Sequence, residues 1–105
     1  MGETKLSVIE EITDSKTGKL IVKGSVSSGN TDILHRKLDE ALKARHKRII
    51  LNMREVSFLA SGGIRILLMY YKIAKGRGIS FFIEDPSDNV KNVLGMVALD
   101  EMILV

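Results

Sequence analysis

The 105-residue chain has no cysteine and no tryptophan, a single proline, and only three phenylalanines and two tyrosines. Without cysteine there can be no disulfide framework, no thiol nucleophile and no thiolate metal site. Long hydrophobic runs are also missing: none approaches the roughly 20 apolar residues that span a bilayer. The opening "MGETKLSVIEE" is acidic from its third residue and lacks the basic stretch and apolar run of a signal peptide. A cytoplasmic protein with no membrane partner is the expectation. Charge of one sign is scarce as well, the net value being +3. Its main local source is "KARHKR", Lys43 to Arg48. This run follows a helical pattern and precedes a strand, where cations complement the carbonyl end of a helix dipole. No aromatic residue is interleaved to stack on bases, so no nucleic-acid partner is expected.

What is present describes an ordinary globular chain, 45% hydrophobic and 28% charged. Its length suits one domain, residues 1–105, with one modest core. Lys5 to Ile12 reads as a strand, and "TDSKTGK", with Gly18, as a hairpin turn into a second strand, Leu20 to Val26. "SSGNTD" then breaks the pattern and offers helix-start residues at Asn30 to Asp32. Leu34, Leu38, Ala41 and Leu42 follow at helical spacing. "RIILNM", Arg48 to Met53, is a short branched apolar run of the kind that forms a buried strand.

Beyond a turn at Ser61, Ile64, Leu67, Leu68 and Tyr71 mark a second helix, ended by Gly76 and Gly78. "ISFFIE" is the next strand, and Asp85-Pro86 opens a third helix with Val90, Val93, Leu94 and Val97 as its apolar stripe. "MILV" closes the chain as a short strand. The order β-β-α-β-α-β-α-β predicts an α/β fold, a mixed sheet with helices packed against it, parallel wherever a helix connects two strands.

Catalytic and metal chemistry find little support. His35 and His46 stand eleven apart, which is no ligand spacing. "GRG" at residues 76–78 follows a helix and lacks the phosphate-loop pattern. The GxSxG nucleophile motif is absent. A non-enzymatic protein without cofactor or metal is expected. Ser61 has two readings on one geometry: a helix N-cap, or a hydroxyl for phosphorylation where a helix N-terminus favours negative charge. The cap is the commoner case. The second helix also carries a further apolar set, Ile66, Met69, Tyr70 and Ile73, on roughly the opposite side from the first at about 100° per residue. A helix apolar nearly all round is buried or faces a partner.

With these residues in place, "IILNMREVSFLASGGIRILLMYYKIAKGRGISFFI" resembles the core of the STAS domain, the fold of bacterial anti-sigma factor antagonists. "GSVS", Gly24 to Ser27, resembles the family's Gly-x-x-Asp stretch, and "DPSDNVKNVLGMVALDEMILV" its closing helix and short strand. The resemblance implies an anti-anti-sigma factor of a partner-switching system in transcription regulation. Such a protein binds an anti-sigma factor, itself a serine kinase, and so releases a sigma factor. It further implies a phosphoacceptor on the turn, directly before the glycine that Gly63 matches. Here Gly62 holds that place, Ala60 replaces an acidic residue, and Ser27 stands where a second aspartate is usual.

Glycine has no hydroxyl, so Ser61 becomes the possible phosphorylation site. The expected partner-binding residues are Ser27, Ser28, Asn30, Ser61, Gly62, Gly63, Arg65 and Met69. The expected state is a monomer or weak dimer. Two alternatives stay open: a module sensing a nucleotide or small ligand, and a subunit of a larger signalling or transport complex.

Overall fold

The computed structural model describes residues 5–103. Strands β1 (Ser7–Asp14) and β2 (Thr17–Val26) form an antiparallel hairpin, followed by α1 (Thr31–Lys43), β3 (Arg48–Leu59), α2 (Ser61–Gly76), β4 (Ser80–Glu84) and α3 (Asp88–Met96). A single 3₁₀ turn, Asp100–Met102, comes next. The sheet order is β1-β2-β3-β4, with β2, β3 and β4 mutually parallel. The expected mixed α/β architecture is therefore present. Of the expected closing strand, Met102 ends the 3₁₀ turn, Ile103 makes one parallel bridge to Ile83, and Leu104 and Val105 lie outside the described residues.

The hairpin is tighter than the sequence pattern implied. Asp14 pairs with Thr17, leaving two residues in the loop, and the Lys16 N–H donates to Asp14 Oδ1 at 2.7 Å. That bond is the first reason the Asp14 carboxyl sits below its ordinary pKa. Gly18 is not a turn glycine but a strand residue opposite Ile12. A Cβ on Gly18 would fall 2.5 Å from His46 Cδ2, so the glycine leaves room for the imidazole over the strand.

The burial pattern of β3 explains how one strand serves a long core. Ile49, Leu51 and Met53 alternate inward, as a strand requires, but the next buried residues are Val56 and Leu59. Two irregularities against β2 account for the shift. Ile21 and Lys23 pair with Asn52 and Glu55, and Gly24 and Ser25 pair with Val56 and Phe58. Each inserts one extra residue on β3, so 12 residues of β3 run beside 10 of β2. Gly24, at φ 101°, supplies the positive dihedral next to the second bulge.

The buried side chains of all three helices join one cluster with the inward residues of the sheet, among them Val22, Ile49, Leu51, Phe81 and Ile83. The outward-facing Ile9, Ile21, Ile50 and Phe82 are not part of that cluster. Every helix therefore lies on one face of the sheet, and among the described residues nothing covers the other. On that open face Glu84 Oε2 accepts from Asn52 Nδ2 and pairs with Lys19 Nζ, both at 2.9 Å. These two donors hold the Glu84 carboxyl below the usual range, and the same ion pair holds the Lys19 ammonium above its own.

The third helix starts later than Asp85-Pro86 suggested. Asp85 adopts a left-handed φ of 53°, and Ser87 is the N-cap, its Oγ accepting the Val90 N–H. The same hydroxyl donates to the Val56 carbonyl at 2.6 Å, while Asn89 Nδ2 donates to Ser57 O. The far half of β3, beyond the reach of β4, is thus bonded by side chains from the start of α3. Ser87→Ala removes both the cap and this donor, and a loss of about 1–3 kcal/mol in urea denaturation is expected.

Candidate functional site

Because β2 and β3 run parallel, their C-terminal ends emerge at one edge of the sheet, where irregular backbone collects in α/β folds. The loop after β2, Ser27–Asn30, and the turn after β3, Ala60–Gly63, meet there. The Ala60 N–H donates to Val26 O at 2.8 Å, and a Cβ on Gly62 would touch Thr31 Cγ2 at 3.5 Å. The structure therefore brings together the two segments named from sequence.

Ser61 is not the helix cap. Ala60, in extended backbone at φ −76° and ψ 164°, is the N-cap and can offer no side-chain acceptor. Ser61 is the first helical residue and is exposed. The N–H groups of Gly63 and Ile64 both bond Ala60 O, whereas those of Ser61 and Gly62 have no acceptor among the described residues. The first turn also lacks an acidic residue. Two free donors and the positive end of the α2 dipole therefore face outward beside the Ser61 hydroxyl, a setting that favours an anionic group.

The remaining expected residues divide. Ser28, Arg65 and Met69 are exposed, the last at 39%, and Ser61, Arg65 and Met69 succeed one another at four-residue intervals along one side of α2. The rest of the further apolar set is not free: Tyr70 is buried against α1, its hydroxyl donating to His35 O, and Ile66 and Ile73 pack against the core. Asn30 is occupied internally. Its Oδ1 accepts the Ser27 N–H and its Nδ2 donates to Ser25 O, both at 2.9 Å, so the side chain locks the loop while the Asn30 carbonyl, as the N-cap of α1, accepts the Ile33 N–H.

Ser27 is half-buried, held by that bond. Gly63 is buried and offers no surface to a partner. A Cβ there would lie 2.6 Å from Val26 Cγ1 and 2.8 Å from Leu59 Cδ1, so the glycine lets α2 start hard against the strand ends.

One residue of the surface was not singled out from sequence. Phe58, two positions before Ala60, is 51% exposed. The bulge at Ser57 sets it opposite Ser25 and turns its ring outward. Strict alternation from Met53 also turns Phe58 outward, and that was the available signal; the residue that alternation misplaces is Val56, which is buried.

The family profile for the STAS domain matches residues 8–105. The chain belongs to that family. Over 85 residues, 78% of this chain and 73% of the relative, it is 28% identical to an anti-sigma F factor antagonist of Paenibacillus polymyxa. Solved structures agree at the level of the fold. The anti-sigma factor antagonist SpoIIAA in its unphosphorylated form superposes with a TM-score of 0.81 at 18% identity, covering 93% of this chain and 86% of the other. An anti-sigma factor antagonist from Mycobacterium paratuberculosis gives 0.85 at 17% identity over 94% and 83%. The phosphorylated form of SpoIIAA, a Bacillus cell fate determinant, gives 0.75 at 17% over 93% and 89%. No helix among the described residues is long and apolar enough to cross a membrane, and no cluster of three or more His, Asp or Glu among them could hold a metal ion.

The two glycines of this STAS turn should respond differently to a methyl group. Gly63→Ala forces Val26 and Leu59 aside and is expected to cost about 1–3 kcal/mol. Gly62→Ala meets ordinary contact distance and gains helix propensity, so its urea midpoint should stay the same or rise.

Proposed function

We propose that this protein is an anti-sigma factor antagonist that works by binding rather than catalysis. It captures a kinase-fold anti-sigma factor in the cytoplasm and thereby frees a sigma factor. The observation that carries this reading is the joint exposure, at one edge of the sheet, of Ser28, Phe58, Ser61, Arg65 and Met69. The ring of Phe58 is the apolar anchor, and Arg65 and the free backbone donors of Ser61 and Gly62 are the polar contacts around it. Hot spots at interfaces are enriched in aromatic and arginine side chains, so these two residues dominate the affinity. The relative named an anti-sigma F factor antagonist supports the same partner class.

The glycine at position 62 alters how such a complex is controlled. With no hydroxyl there, a kinase partner meets Ser61 as the nearest acceptor, one residue earlier and already within the helix. A phosphate on Ser61 would add about −1.5 to −2 charges where the partner docks. Binding is therefore the primary activity, and Ser61 modification is its route to reversal.

Mixing the protein with the kinase-fold regulators of the same genome, with and without ATP, tests this. One regulator should bind, and Phe58→Ala or Arg65→Glu should weaken that complex at least about tenfold without altering the fold. Ser61→Ala should bind as the unaltered protein does, Ser61→Glu about tenfold more weakly. Absence of binding to every such regulator would overturn the reading.

A further inference from the structure

The open face of the sheet poses a separate problem. Parallel strands are nearly always covered on both sides, yet β2, β3 and β4 present Ile21, Ile50 and Phe82 on a face that no described element covers. The register lays this face out in rows across the strands. Asp14, Thr17, Arg48 and Ser80 form one row, and Glu11, Lys19, Ile50 and Phe82 form the next. A groove of about 390 Å³ runs over these two rows, floored by Ile50 and Phe82. Its volume falls within the range of about 300–1,000 Å³ usual for small-molecule sites.

The charges around the groove are of two kinds. Lys19 and Glu84 neutralise each other at 2.9 Å. Asp14 and Arg48 belong to no ion pair among the described residues. They flank the buried Thr17, whose Oγ1 accepts from Arg48 Nε at 3.4 Å. That bond orients the guanidinium and leaves its two terminal amino groups free for a carboxylate. Across the same row, the Asp14 carboxylate is an acceptor of opposite sign. A lone anion would meet Asp14 and a lone cation would meet Arg48. A molecule carrying both charges close together satisfies both, and its apolar part then covers Ile50 and Phe82.

We propose that this groove binds a small zwitterion, an α-amino acid with an apolar side chain. Its carboxylate lies on Arg48, its ammonium on Asp14, and its side chain on Phe82 and Ile50. The site is at the opposite end of β3 from the Ser61 turn, so it stands or falls independently of the anti-sigma partner.

Titration of the isotopically labelled protein with L-phenylalanine, followed by amide NMR shifts, tests it, with 3-phenylpropionate and 2-phenylethylamine as probes that each lack one charge. L-phenylalanine should bind in the millimolar range with shifts confined to the β1–β2 hairpin, the start of β3 and β4. Each single-charge probe should bind at least about tenfold more weakly. Arg48→Gln should abolish the preference for L-phenylalanine over phenylethylamine, and Asp14→Asn that over phenylpropionate. Equal binding of all three probes, shifts elsewhere, or no saturable shifts would overturn the proposal.

Discussion

The parallel pairing of β2 with β3 is the constraint on which the rest depends. It is the longest ladder in the sheet, and every helix packs on the face it presents. Because the strands run the same way, α1 must carry the chain back across that face, and the two following segments leave from one edge. The Ser27–Asn30 loop and the Ser61 turn are neighbours for this reason. The Ala60 N–H to Val26 O bond then fixes their separation, and Gly63 permits the approach. The proposed partner surface is built on two loops far apart in sequence, and it is rigid only because the strands beneath them are bonded together.

The bulges on β3 link this scaffold to recognition. A regular strand would have kept strict alternation and placed Val56 and Phe58 on the same face. The extra residue at Ser57 lets Leu59 remain in the core while Phe58 turns out beside the turn. The same extension carries β3 beyond β4, where its carbonyls are met by Ser87 and Asn89. The burial of Val56 and the reach of β3 to the α3 cap follow from these two one-residue insertions. The helix-free face is a different matter: its outward apolar residues contribute nothing to the core, and its charges are only half paired.

Much of this was legible in the residues. Branched apolar runs, turn chemistry and 3.6-residue spacing mark the strands and helices, because each depends on local backbone preference and on one buried face. The family signature around "VSFLASGG" was equally local. Two local readings went astray for non-local reasons. Gly18 looked like a turn residue, but His46, 28 positions away, occupies the space over it. Ser61 looked like a cap, yet the bond from Ala60 to the end of β2 moves the helix start one residue earlier than a serine cap requires. Asn30 does start α1 as the sequence suggested, though its backbone carbonyl does the capping while its side chain closes the preceding loop.

The sequence by itself determined the order of elements, the mixed sheet and the composition of the turn, including the glycine where a hydroxyl is usual. These follow from periodicity and residue type, which act over a few positions. Only the tertiary structure decided which residues of the turn are reachable, that Gly63 is a packing residue, that Val56 is buried, and that one sheet face is left uncovered. Those outcomes depend on strand register and on the side of the sheet each crossover takes. A one-residue shift in register exchanges the faces of a strand, and no local pattern records it.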